Sequence, residues 1–126
     1  MVGLVVVSHS ATAAEGVVEV AAEMGGDTPI EPAGGDGHGG IGTVPDDIEA
    51  ALEAADDGDG VVVLVDLGSA VMNAEVAIET SDVNATLADA PVLEGAVNAA
   101  VAAAAPDATV ESVHEQAEAA RGVEKL

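Results

Sequence analysis

A chain of 126 residues is the size of one domain and can bury one core, but 49% apolar content without a single aromatic residue obliges that core to consist of Val, Ala, Leu, Ile and Met. Two Lys plus Arg stand against 24 Asp plus Glu, and a formal net charge of -22 repels phosphate backbones and anionic lipid, which excludes nucleic acid and membrane surfaces as partners. Absence of cysteine removes disulfides, thiolate nucleophiles and Cys-based metal sites.

The opening MVGLVVVSHS has no basic n-region, and no apolar run approaches the ~20 residues of a membrane span. A cytoplasmic protein with one domain over residues 1–126 is expected. Val2 to Val7 is a β-branched run that reads as a strand buried on both faces, followed by the polar turn Ser8-His9-Ser10. From about Ala11 to Met24, Val17, Val18, Val20, Ala21 and Met24 recur at helical spacing, and Gly25-Gly26 supplies a stop. Thr28 to Pro32 predicts a short second strand, and the glycine-rich stretch Gly34 to Gly40 a mobile loop. Pro45 suits the first position of a helix that follows Thr43 or Val44 and runs to about Ala55.

Gly60 to Asp66 is the clearest strand, and it runs directly into the turn Asp66-Leu67-Gly68-Ser69. A helix from about Ala70 to Thr80, a strand from Asn84 to Leu87, an Ala-rich helix from Leu93 to Ala104 and an acidic helix from Thr109 to Ala120 complete the chain. Strands alternating with helices predict an α/β fold: a doubly wound, mainly parallel sheet of order 2-1-3-4 with helices on both faces. The first two helices are expected on one face and the later ones on the other. Acidic residues are spread through the chain instead of forming a tail, which suits a solvated surface in a salt-rich cytoplasm. Because the Debye length falls to roughly 3 Å at 1 M salt, the thermal midpoint is expected to rise from dilute buffer to molar KCl.

In that strand order the switch point lies between the first and third strands, where doubly wound folds bind ligands. His9 and Asp66 both end there. Taken alone, each residue has an ordinary explanation, His9 as a turn residue and Asp66 and Ser69 as helix-capping types. Together they make a nucleophilic site. A neutral imidazole attacks phosphorus readily, and a carboxylate on Nδ1 would leave the Nε2 lone pair outward. Helix starts after Ser10 and Ser69 offer amides to an anion. The only cations, Arg121 and Lys125, are remote in sequence, and no Walker motif exists, so a bound nucleotide is not expected and no cofactor is assigned. His38, alone in the glycine-rich loop, reads as solvated and not as a metal ligand. His114, beside Glu111, Glu115 and Glu118, reads as part of a solvated helix face.

VVVSHS, IGT at 41–43, VLVDLGSA at 63–70 and APVLEGAVNAA at 90–100 together resemble the DhaM phosphotransfer subunits of phosphoenolpyruvate-dependent dihydroxyacetone kinases. The N-terminal part of that family is similar to mannose-type EIIA domains. The resemblance implies His9 as phosphoacceptor, Asp66 as the carboxylate orienting it, and Ser10, Gly42, Thr43, Gly68 and Ser69 as phosphate-binding residues. It also implies HPr as donor, ADP on DhaL as acceptor, DhaK as the dihydroxyacetone-binding subunit, and a homodimer. Some relatives continue into HPr-like and enzyme-I-like domains; here a separate donor is expected. Two alternatives use the same residues differently. One is a mannose-type EIIA serving a sugar transporter or regulator, the other a non-catalytic flavodoxin-like binding module. The second conflicts with the lack of flavin-stacking aromatics and of a receiver-type lysine.

Overall fold

In the computed structural model, which describes residues 1–126, the two most apolar runs of the sequence lie side by side at the centre of one sheet. β1 (Gly3–Ser8) and β3 (Val61–Val65) pair in parallel, with Leu4 opposite Val62 and Val6 opposite Leu64. All of β1 and the first four residues of β3 are buried, since alternate side chains enter opposite layers and both layers are covered. β2 (Ile30–Gly34) extends the sheet beyond β1, and β4 (Ala85–Leu87) extends it beyond β3. The order β2-β1-β3-β4 is the doubly wound one expected, and every pairing is parallel.

The helices are α1 (Ala11–Gly25), α2 (Pro45–Ala55), α3 (Val71–Thr80), α4 (Val92–Ala103) and α5 (Val110–Ala119). Their distribution over the two faces corrects the sequence expectation. Ala21 of α1, Ala96 to Ala103 of α4 and Val113 of α5 pack with Leu4, Val6, Val62 and Leu64. Ile48 and Leu52 of α2 and Ala74 of α3 pack with Val5, Val7, Val61 and Val63 on the opposite side. The cause is the reversal of direction after β2. The β1-to-β2 crossover travels one way across the sheet, and the next two travel the other, so right-handed connections put α1 on one face and α2 with α3 on the other. α4 and α5 then return beside α1 and complete its layer.

Two local differences have equally physical reasons. β2 is displaced toward the C-terminus and passes through Pro32, which an edge strand tolerates because one row of its backbone donors faces no partner. The Gly34–Gly40 stretch is an organised turn and not a featureless loop. Oδ1 of Asp36 accepts the amides of His38 at 2.8 Å and Gly40 at 2.9 Å, and these bonds hold the Asp36 carboxyl below its ordinary value.

Without aromatic side chains the layers close to short range. α4 meets the sheet through Ala96, Ala99, Ala100 and Ala103, and a Cβ on Gly95 would lie 2.7 Å from Leu64 Cδ2. Extra atoms at such a contact cost about 1–3 kcal/mol. No helix is long and apolar enough to cross a membrane.

Candidate functional site

Parallel pairing of β1 with β3 sets the last residues of both strands at one edge, and the turns that follow face each other. His9 Nδ1 lies 3.0 Å from Asp66 Oδ1. The second carboxylate oxygen of Asp66 accepts the His9 amide at 3.0 Å and the Ser8 hydroxyl at 2.9 Å. Asp66 thus grips both the backbone and the ring of His9. Partial burial works to raise the carboxyl, but the His9 amide, the His9 ring and the Ser8 hydroxyl outweigh it and hold Asp66 below the ordinary carboxylate value. An ionised carboxylate only accepts hydrogen bonds, so the proton of a neutral His9 ring sits on Nδ1 and the Nε2 lone pair is free of hydrogen. Side chains of His9 and Asp66 are 21% and 20% exposed, so the ring can be reached from solvent yet is held in one orientation.

Nε2 has as its direct neighbour Ser69, which the sequence reading placed in this crevice without that contact. Ser69 Oγ stands 2.9 Å from it, and with the lone pair on nitrogen the hydroxyl donates. Gly68 to Ala70 form a 3-10 turn ahead of α3, so Ser69 faces the imidazole and caps no helix. The hydroxyl therefore stands across the approach to the Nε2 lone pair.

The other sequence candidates occupy graded positions. Ser10 caps α1, its hydroxyl accepting from Ala13 at 3.1 Å, and so contributes the start of a helix to the crevice. Gly42 donates its amide to the His9 carbonyl at 2.8 Å with φ of 152°, which leaves that amide committed to the peptide of His9. Thr43 lies one step further out, tied through Oγ1 and its carbonyl to Asn73 Nδ2 at 2.8 and 3.2 Å. Ser8 and Asn73 are the residues that sequence reasoning missed. Ser8 was visible in SHS but read only as turn, and Asn73 had no motif to mark it. Gly34 was also missed in this role: a Cβ there would lie 2.7 Å from the Ser10 carbonyl and 2.9 Å from that of Ser8, so the β1–α1 turn needs a glycine beside it.

A cleft of about 330 Å³ runs from this site toward β4, lined by Asp66, Leu67, Val71, Leu87, Ala88 and Asp89 among others. Of the two cations, remote in sequence, Arg121 reaches a residue that lines it. Arg121 pairs with Asp89 at 3.3 Å, and Lys125 pairs with Glu94 of the adjoining α4 start at 2.6 Å. His38 is exposed. His114 is not simply solvated: its Nε2 is 3.0 Å from the Leu87 carbonyl and 3.3 Å from Glu118, which turns the imidazole toward the end of β4. No group of three or more His, Asp or Glu side chains is arranged to hold a metal ion.

Residues 3–114 match the EIIA-man family model, described as PTS system fructose IIA component. The chain is 43% identical over 94 residues to the phosphoryl donor subunit DhaM of PEP-dependent dihydroxyacetone kinase 1 from Listeria innocua, with 75% of each chain covered. A DhaM subunit from Klebsiella michiganensis is 38% identical over 121 residues, and there the chain spans only 24% of its relative. The phosphotransferase subunit DhaM of Lactococcus lactis is 35% identical over 116 residues, covering 92% of this chain and 93% of that one. Among solved structures, the unknown function protein EF1359 superposes with a TM-score of 0.80 at 29% identity, over 93% of this chain and 92% of the other.

Proposed function

Because the chain belongs to the EIIA-man family of phosphotransferase-system components, we propose that it is a phosphohistidine carrier, the DhaM-type phosphoryl donor subunit of a PEP-dependent dihydroxyacetone kinase. His9 Nε2 attacks phosphorus on the donor's phosphohistidine. A new N–P bond forms as the donor's N–P bond breaks, and the donor imidazole leaves as a neutral base. No proton leaves His9, since Nε2 carries none, and the positive charge that develops on its ring is met by Asp66. Ser69, the 68–69 turn and the helix start after Ser10 receive the phosphoryl oxygens, while Gly42 and Thr43 wall the crevice. Onward transfer runs the same step in reverse, with a terminal phosphate oxygen of ADP as the acceptor.

The observation that carries this reading is the pinning of Nδ1 on Asp66 at 3.0 Å with Nε2 directed to the open edge of the sheet. Such an arrangement makes a nucleophile without supplying a clamp for a nucleotide, which suits a relay whose donor is HPr and whose acceptor is ADP held on DhaL, with DhaK presenting dihydroxyacetone. Two copies of the chain are expected to pair, as the resemblance implies. The test combines the purified chain with phosphoenolpyruvate, enzyme I and HPr. An acid-labile, base-stable phosphate should appear on the chain, and adding ADP-loaded DhaL with DhaK and dihydroxyacetone should move it to dihydroxyacetone phosphate. Label that never leaves HPr would overturn the proposal.

The description of the matched family names a sugar system, which supports a second reading in which a sugar-transporter subunit is the acceptor. Discharge to that subunit, with none to DhaL and DhaK, would select it.

A further inference from the structure

The contact between Ser69 and His9 completes a row of three side chains. Asp66 Oδ1 lies 3.0 Å from His9 Nδ1, and His9 Nε2 lies 2.9 Å from Ser69 Oγ. Both distances fall within the roughly 2.6–3.2 Å at which a base takes the proton of a hydroxyl and a third group orients that base. Carboxylate, imidazole and serine hydroxyl stand in the order of a hydrolytic triad, which is recognised by geometry and roles and not by position in the sequence. Each link has the required sense. Asp66 is ionised and accepts, so the ring hydrogen stays on Nδ1 and Nε2 is free to take a proton from Ser69. Ser69 is exposed in the turn between β3 and α3, where a substrate can reach its oxygen. Phosphoryl transfer asks only that this hydroxyl donate; the same contact prepares it to attack.

Two further features supply what an attacking serine needs. The amides of Gly68 and Ser69 donate to no group of the protein, whereas the next two, of Ala70 and Val71, are committed to the carbonyls of Leu67 and Gly68. Unengaged amides beside the nucleophile are donors for the oxyanion of a tetrahedral intermediate. The cleft of about 330 Å³ borders Gly68, and Leu67, Val71, Leu87 and Ala90 make its wall largely apolar. A short uncharged acyl group fits such a wall, and Asp66 and Asp89 in the same lining repel an anionic one.

We propose that the chain is also a serine esterase toward small neutral carboxylic esters, with Ser69 as nucleophile, His9 as general base and Asp66 as the positioning residue. Ser69 Oγ bonds to the carbonyl carbon as its proton passes to Nε2. The C–O bond to the alcohol then breaks, the leaving oxygen takes the proton from Nε2, and Ser69 remains acylated. Water repeats both steps and releases the carboxylic acid, with Asp66 facing the imidazolium each time. The hydrolysis needs no phosphoryl donor and does not rest on the carrier reading.

The test treats the intact chain with a fluorophosphonate, whose P–F bond is displaced by an activated serine, and with p-nitrophenyl butyrate. Acid-stable label should form on Ser69 in the folded chain and disappear in urea and in His9→Ala. Release of p-nitrophenol should fall at least tenfold in Ser69→Ala, and in Asp66→Asn kcat should fall at least tenfold at unchanged KM. The negatively charged p-nitrophenyl hemisuccinate should react at least tenfold more slowly than the butyrate. Because an imidazole alone can attack such esters, wild-type hydrolysis by Ser69→Ala, or an acyl group found on His9, would overturn the proposal. So would label that is absent or forms equally in urea, wild-type kcat in a folded Asp66→Asn protein, or equal rates for the two esters.

Discussion

His9→Ala is expected to lose phosphate uptake by more than about 10³-fold, because it removes the atom to which phosphorus bonds and not merely an accessory to the transfer. Neither remaining histidine can substitute. His38 projects from an exposed turn with no carboxylate on its ring, and His114 is held through Nε2 on the Leu87 carbonyl at the end of β4, away from the Asp66 carboxylate and the Ser69 hydroxyl. The fold should survive. Asp66 keeps the backbone amide of residue 9 and the Ser8 hydroxyl, and the lost side chain lies at the edge of the sheet, outside both core layers. Labelling from phosphoenolpyruvate through enzyme I and HPr, followed by acid and base treatment of the product, checks the prediction. Wild-type label in the alanine variant would place the phosphoacceptor elsewhere.

The sheet was legible because its central strands are extreme. Val2 to Val7 and Val61 to Val65 are unbroken apolar runs without a helical period, and only a strand buried on both faces uses such a run at that length. Their exits into SHS and DLGS put His9 opposite Asp66 once the strand order was assumed. The faces of the helices were harder to read, since each is amphipathic in the same way and the sequence of a helix does not record which side of a sheet it covers. Direction of travel across the sheet decides that, and α1 and α2 travel in opposite directions. β2 was blurred by Pro32, a residue that ordinarily ends regular structure and here is tolerated at an unpaired edge.

Side-chain partnerships within the site were less visible still. Ser69 is a common N-cap type, and only the 3-10 turn before α3 turns its hydroxyl to Nε2. Arg121 and Lys125 looked irrelevant at the end of the chain. The return of α4 and α5 to the α1 layer brings them to Asp89 and Glu94, a long-range consequence of topology that no local pattern announces.

Asp66→Asn should slow transfer about 10²–10⁴-fold while leaving the architecture in place. The amide oxygen can still accept from the His9 amide and the Ser8 hydroxyl, but its nitrogen would then face the ring and donate to Nδ1. That inverts the tautomer: hydrogen moves to Nε2, the lone pair needed for attack moves to Nδ1, and the developing imidazolium loses its counter-charge. A structural role for Asp66 alone would predict lost stability with normal transfer per folded molecule; orientation of the nucleophile predicts slow transfer in a folded protein, so rate and thermal midpoint must be measured together. Their pH dependence divides the two contributions. The carboxyl of Asp66 is lowered in the folded state, so the stability it adds is fully present above the ordinary Asp value of about 3.9 and disappears as pH falls through the lowered folded value. Wild type and Asp66→Asn should therefore differ in midpoint near neutrality and converge in acid, whereas the deficit in transfer should persist across neutral pH, where the stability difference is constant. Transfer at the wild-type rate in a folded Asp66→Asn protein would remove the carboxylate from the mechanism and leave Ser69 as the sole side chain acting on Nε2.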